Sequence, residues 1–393
     1  MKRNSGLDIA RSIAILAVLV HHLILYNLHL LNFNIPPTHM LMGWFGVDIF
    51  FVLSGFLIGR ILIKTFFTEN NRVLQNSRGM LMNFYKRRWF RTLPLYYLML
   101  FINIVLFLVV TMDLNYWLDL KKFLPHLSFT HYITMFWDES LSYMGKYHFM
   151  GESWSLCIEE FFYLFFPLII LLFVFLNKDI KKARTRFLYF VIFSILALIL
   201  IKTAGIIFLD YSTGFVHYFT LFRLEGLLVG FLLAYIYSEH RHIYMKLTTK
   251  RSLFISLTML GFLIFYLSNP QYTQEKYWND DLFSKAFSYT YLAVVWANLI
   301  AFLENLKIKN IAFFEFTSKI SYSMYLIHNV VLIFLSTHIF TLVTDLTLLL
   351  DIKSGNLLNL ALYNLVILAV VYGISAALYK FFEEPVMNLR DKF

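Results

Sequence analysis

Cysteine is nearly absent from this chain: the single residue, Cys157, excludes an internal disulfide and any cysteine-built metal cluster. Charge is scarce as well. Only 15% of the 393 residues are charged against 59% hydrophobic, with a mean hydropathy of +0.66, a balance that excludes a water-soluble globule. The chain shows no internal repeat, no low-complexity linker and no stretch able to fold as a separate soluble domain. The opening MKRNSG lacks a small-residue cleavage site, and the apolar run after it is long and carries Asp8 and Arg11, so a cleaved signal is set aside. What remains is one multi-pass membrane domain over residues 1–393 with no appended soluble domain.

Apolar windows fall near 8–30, 42–64, 92–112, 153–176, 187–209, 215–237, 251–268, 282–303, 319–342 and 356–380. Lys2, Arg3, the basic residues of 60–91, Lys178 to Arg186, Arg241 to Arg251, Lys307 to Lys319 and the tail all fall on one side of this count. The opposite loops hold few cations. The positive-inside rule therefore predicts an all-α polytopic bundle of about ten transmembrane helices with both termini cytoplasmic. The net charge of +10 is a topology signal, and no basic stripe for nucleic acid is present.

Charges inside such spans are costly unless they meet a partner or a watery cavity. In LDIARSIAILAVLVHHLILY, residues 7–26, Arg11 and His22 are eleven residues apart, three helical turns, so they share a face about 16 Å apart. Counting the rise along each span puts His22 about 21 Å from the inner end, level with Asp48 and Glu159, with Arg223 and Glu225 slightly deeper. A neutral imidazole oriented by a carboxylate suits general-base attack by a hydroxyl, which makes His22 a base candidate with Asp48 or Glu159 as its orienter. At the inner edge Arg88 and Arg91, one turn apart in FYKRRWFR, are placed to converge on one anion, phosphate being the obvious ligand. Ser321, Tyr325 and His328 share a face of the ninth span, with Tyr322 beside them, as a substrate-binding or a packing stripe. His22 with His328 could alternatively ligate a haem, although no metal-spaced motif accompanies them. The outer loop 113–152 holds Trp117, His126, His131, Trp137, Asp138 and Glu139, residues suited to a sugar and equally usual at a membrane interface.

Several segments carry a family likeness in chain order: Arg11-x10-His22, GVDIFFVLSGFLI at 46–58, Arg88-x-x-Arg91 before Pro94, SLCIEEFFYLFFP at 155–167, RLEGLLVG at 223–230, SYSMYLIH at 321–328 and YKFFEEP at 379–385. Together they resemble the acyltransferase family 3 membrane proteins, which move acyl groups, usually acetyl, onto extracytoplasmic glycans and other hydroxyl acceptors. The resemblance implies an acyl-CoA donor, acetyl-CoA by default, entering from the cytoplasm, and no metal. By it His22 is catalytic, Arg11, Arg88 and Arg91 contact coenzyme A, and Asp48 and Glu159 occupy acidic motif positions. Arg223, Glu225, Ser321, Tyr322, Tyr325 and His328 are the candidate substrate-binding residues. The expected protein is an O-acyltransferase of the inner or plasma membrane acting on a hydroxyl-bearing envelope acceptor. The rival class is a transporter of a polysaccharide or lipid-linked sugar, which inverted repeats or paired broken helices would favour; neither is evident.

Overall fold

The computed structural model of the chain describes residues 4–30, 40–67, 72–111, 120–131, 150–177, 179–211, 213–267, 282–309, 311–349 and 356–390. Ten helices organise them: α1 Ser5–Leu30, α2 Met40–Phe66, α3 Arg72–Thr111, α4 Trp154–Leu176, α5 Ile180–Leu209, α6 Glu225–Glu239, α7 Lys250–Leu267, α8 Ser288–Asn305, α9 Ala312–Leu349 and α10 Asn356–Leu378. The described residues contain no strand. Among the described residues nine helical segments are long and apolar enough to cross a membrane, and a tenth is reached when Arg241–Leu247 and Lys250–Tyr266 of α7, bent by 59°, count as one broken span.

Apolar content drives these segments into helices because hydrocarbon offers no partner for backbone polar groups, which must be satisfied within the segment. Burial then sorts the helices into two zones. In the apolar windows of α2, α6 and α9, 72% of residues are buried inside the protein, against 22% in those of α5 and α10. The outer helices turn large apolar side chains outward, among them Phe193 and Phe208 on α5 and Phe254 and Phe265 on α7. That belt suits lipid contact.

The inner zone is built on α1, α2, α6 and α9, with α2 packed most extensively on α6 and α1, and α1 in turn on α9. α2 and α6 run parallel and nearly touch through small residues. A Cβ at Gly55 would lie 2.1 Å from the Leu227 carbonyl oxygen, and one at Gly230 would lie 2.2 Å from that of Val52. Small residues that let backbones approach are how membrane helices gain packing energy without a hydrophobic drive between them. At one end of the bundle Glu304 gathers several termini. Its side chain accepts from Tyr244 Oη at 3.2 Å and lies 3.5 Å from Arg60 Nη1, while its carbonyl accepts from Asn4 Nδ2 at 2.9 Å. The start of α1 and the ends of α2 and α8 therefore share one face, as an alternating traverse demands.

Two boundaries differ from the sequence expectation. Helix α3 starts at Arg72, is kinked at Asn76 (φ −136°, ψ 34°) and continues to Thr111, so Arg88 and Arg91 stand within the helix and not at the start of a span. Arginine and lysine are good helix formers, so the basic run continues the helix it precedes. The expected sixth span, 215–237, is broken into the short helix Thr213–Tyr218, a 3₁₀ turn Thr220–Arg223 and α6, which sets Arg223 on the turn and Glu225 at the first position of the helix.

The close approach predicts that Gly55→Ala destabilises the folded protein by about 1–3 kcal/mol, because the added methyl meets backbone and has no flexible side chain to displace. Gly261→Ala on α7, where nothing lies within 4 Å, leaves stability unchanged or raises it by up to about 1 kcal/mol. Denaturation of the two variants in nanodiscs checks this, and equal midpoints would refute the packing argument.

Candidate active site

Helices α1, α2, α3, α4 and α9 enclose a cavity of about 100 Å³ whose polar lining includes Arg11, Arg88, Arg91, Glu159, Ser321 and Tyr325, with Tyr322 beside them. Seven of the twelve residues singled out in the sequence thus line one space. Arg11 reaches Ser318 Oγ on α9 at 3.1 Å and lies 3.8 Å from Asp8 Oδ1, and the Ser318 hydroxyl donates to that same carboxylate oxygen at 2.7 Å. The Arg88 guanidinium reaches inward, with Nε buried and unpartnered. Glu159 accepts from Ser54 Oγ at 3.1 Å and from Tyr163 Oη at 2.7 Å. With Arg11 paired to Asp8, Arg88 and Arg91 are the guanidinium groups of the lining placed to receive an anion.

His22 lies outside the lining of this cavity, half-buried on α1 three turns after Arg11. Its Nδ1 is 2.9 Å from the Val18 carbonyl oxygen one turn earlier. A carbonyl only accepts, so Nδ1 carries the proton and Nε2 of the neutral ring carries the lone pair. On α9 the His328 ring repeats the arrangement, with Nδ1 3.2 Å from the Met324 carbonyl oxygen. The two imidazoles stand 4.8 Å apart between centroids, too close for the porphyrin of the haem alternative to fit between them. Tyr325 joins the two regions: it lines the arginine cavity, and its ring centroid is 5.9 Å from that of His328. Arg11 and His22 both face α9, through Ser318 and His328 respectively, so the two helices run parallel with the residues in register.

Asp48 and Glu159, expected as alternative orienters of His22, each have another partner. Asp48 is ion-paired with Arg223 at 2.5 Å, while Glu159 is held by Ser54 and Tyr163 at the arginine cavity. The group on His22 Nδ1 is a backbone carbonyl of its own helix. Depth counted along each span was the basis for grouping these residues, and it fixes neither the shift of one helix along another nor the rotation of each about its axis; Glu159 shares its cavity with Arg11 and not with His22.

Asp48, Arg223 and Glu225 belong to a second, buried cluster. The Arg223 guanidinium lies 3.8 Å from the Tyr289 ring centroid and 5.7 Å from that of Trp154. Glu225 pairs with Lys202 of α5 and accepts from Thr290 Oγ1 at 2.8 Å. Lys202 was missed in the sequence, although a lone lysine within the apolar window 187–209 was the available signal. Glu152 was missed too, because it falls just before the fourth expected span. It is buried, its Oε2 accepts from Asn329 Nδ2 at 2.7 Å, and its carbonyl accepts from Tyr325 Oη at 2.7 Å. Ser155 Oγ in turn lies 2.6 Å from Tyr325 Oη and donates to it, since the tyrosine proton is committed to Glu152.

Of the outer-loop residues, Trp117, Trp137, Asp138 and Glu139 lie outside the described residues. His126 and His131 are buried and stack on each other at 4.1 Å, with His131 Nε2 2.7 Å from Ser153 Oγ. Burial holds the His131 imidazole well below its ordinary pKa, and the neighbouring His126 adds to the effect. Both rings are therefore packing groups here and present no open face to a sugar. Among the described residues no three His, Cys, Asp or Glu side chains converge as a metal site.

The acyltransferase domain family matches residues 4–380. The O-acetyltransferase OatA of Staphylococcus aureus strain NCTC 8325 is 25% identical over 345 residues, covering 85% of this chain and 51% of the relative. A protein of S. aureus strain MSSA476, named by inference as an O-acetyltransferase, is 30% identical over 243 residues, covering 60% of this chain and 35% of its own. The chain spans about half the length of the first of these relatives. No solved structure matches. The chain belongs to the acyltransferase family.

Breaking one buried ion pair strands a charge, which predicts that Arg223→Gln costs about 3–5 kcal/mol of stability. The double variant Asp48→Asn/Arg223→Gln recovers part of that loss because neither member remains charged. Chemical unfolding in nanodiscs checks this; a single variant as stable as the wild type would show that the pair is not what holds the turn.

Proposed function

We propose that this member of the acyltransferase family is a multi-pass O-acyltransferase of the inner or plasma membrane. It moves an acyl group, acetyl by default, from acyl-CoA on the cytoplasmic side to a hydroxyl of an extracytoplasmic carbohydrate or related envelope acceptor. The observation that carries the reading is the line from Arg11, Arg88 and Arg91, through one cavity, to Tyr325 and then the paired imidazoles of His328 and His22. Its support is chemical. Guanidinium groups bind phosphates with charge-assisted bonds, and about 16 Å of helix α1 between Arg11 and His22 suits a pantetheine arm. The basic residues near the start of α1 and after α2 favour a cytoplasmic assignment for the face that Glu304 gathers, and with it for both termini.

In this mechanism the acceptor oxygen attacks the thioester carbonyl while its proton passes to His22 Nε2. The Val18 carbonyl holds the tautomer that leaves that nitrogen basic. A carbon–oxygen bond forms, the carbon–sulfur bond breaks, and the coenzyme A thiolate leaves with the proton returned from the imidazolium. Arg88 and Arg91 anchor the donor's phosphates and keep the leaving thiolate side of the molecule at the inner end. Glu159, fixed by Ser54 and Tyr163, faces the same cavity as a counter-charge to the arginines.

Acetyl-CoA binding and free coenzyme A release by the protein in nanodiscs test the reading. Arg88→Ala/Arg91→Ala weakens acetyl-CoA binding by about tenfold or more, the loss expected when charge-assisted hydrogen bonds go. His22→Ala retains binding and releases coenzyme A at least about 100-fold more slowly. Wild-type protein that binds no acyl-CoA, or a His22→Ala variant with normal turnover, would overturn it. Substrate flux across a proteoliposome membrane without covalent change would instead select a transporter.

A further inference from the structure

Close to both Tyr325 and His22 lies a buried atom that the protein leaves unmet. His328 is fully buried on α9, its ring centroid 5.9 Å from that of Tyr325 and 4.8 Å from that of His22. Its Nδ1 spends the ring proton on the Met324 carbonyl at 3.2 Å, which leaves the lone pair on Nε2. That Nε2 has no hydrogen-bond partner among the described residues. A buried acceptor left unmet is costly, so it asks for a reason. Neighbouring side chains donate elsewhere: Tyr325 to the Glu152 carbonyl at 2.7 Å, Ser155 to Tyr325, and Asn329 to Glu152 Oε2 at 2.7 Å.

The two neighbours of the ring face different ends of the reaction. Tyr325 lines the arginine cavity, whereas His22 is half-buried and is the more exposed member of the imidazole pair. His328 is thus the member on the donor's path. A pantetheine arm carries two amides, and the one nearest the thioester is separated from the sulfur by two methylene groups. Its N–H is a single neutral donor, which matches a single neutral acceptor. We infer that His328 binds the acyl donor: its Nε2 accepts that amide N–H, and the two-methylene tether then sets the thioester carbon beside His22. The inference rests on the reading of the protein as an acyl-CoA-dependent transferase, and it moves His328 from the packing stripe of α9 to the donor site. A thioester lacking that N–H leaves Nε2 unmet. Sites built to hydrogen-bond a group reject analogues without it, because their buried polar atoms are then left unpaired. Since His328 meets the arm and not the phosphates, its effect is separable from that of Arg88 and Arg91.

The test measures binding to the intact protein in nanodiscs and needs no acceptor. The ligands are acetyl-CoA, an acetyl-CoA analogue in which an ester oxygen replaces the N–H of that amide, and adenosine 3′,5′-bisphosphate, which has no arm. Wild-type protein binds acetyl-CoA about tenfold more tightly than the ester analogue, the loss expected when a buried hydrogen bond goes and its acceptor is stranded. His328→Leu binds acetyl-CoA about tenfold more weakly than wild type and no longer distinguishes it from the ester analogue. His328→Gln, whose side-chain oxygen is again an acceptor, recovers part of the discrimination. Both variants bind adenosine 3′,5′-bisphosphate as wild type does, which shows that the arginine end is intact. Equal acetyl-CoA affinity for wild type and His328→Leu, or an equal loss for acetyl-CoA and its ester analogue, would overturn the inference while the donor reading stands, and would leave Nε2 to a buried water. A matching loss of adenosine bisphosphate binding would make His328 a packing group and overturn it as well. Wild type that binds no acyl-CoA would remove the donor reading and this inference together.

Discussion

Charge held away from water must find a partner, and that requirement sets where the ionisable side chains of this bundle stand. Asp48 finds Arg223, Glu225 finds Lys202, and Asp8 is shared by Arg11 and Ser318. Beyond those pairs, the buried polar atoms without a hydrogen-bond partner among the described residues include Arg88 Nε at the arginine-lined cavity and His328 Nε2 beside His22. The cavity is lined by more cations than anions, whereas the imidazole nitrogen is an acceptor. The imbalance has opposite sense at the two places, which suits phosphates at one end and N–H or O–H groups at the other.

Helix α1 is the ruler between them. Arg11 and His22 project from one face, and α9 runs parallel with Ser318, Tyr325 and His328 in matching register. Two parallel helices in contact over three turns hold that separation more rigidly than loops would, because each backbone is already satisfied internally. The tautomer of His22 is set the same way, by a carbonyl of its own helix, so ring orientation does not depend on a distant carboxylate.

The rest of the inner zone keeps this axis in place. Gly55 and Gly230 bring α2 and α6 to backbone contact, which carries Asp48 to within reach of Arg223 on the turn before α6. The aromatic faces of Tyr289 and Trp154 then cover that guanidinium, adding cation–π attraction where water is excluded. The close glycine contact and the ion pair therefore support one another.

The sequence by itself determined the class of fold and the approximate spans, because an apolar run must be a helix in hydrocarbon and its length is set by a constant rise per residue. It also determined that Arg11 and His22 share a face, which follows from eleven residues being three turns. Only the tertiary structure decided partners. Asp48 and Glu159 were expected at the depth of His22, yet Asp48 pairs with Arg223 and Glu159 is held by Ser54 and Tyr163 in the cavity that Arg11 lines, while Glu152, placed outside the expected span, is tied to α9 through Asn329. The rise per residue is a property of one helix, whereas the level at which two helices meet and the neighbour that a side chain finds depend on how every other helix is shifted, rotated and packed against it.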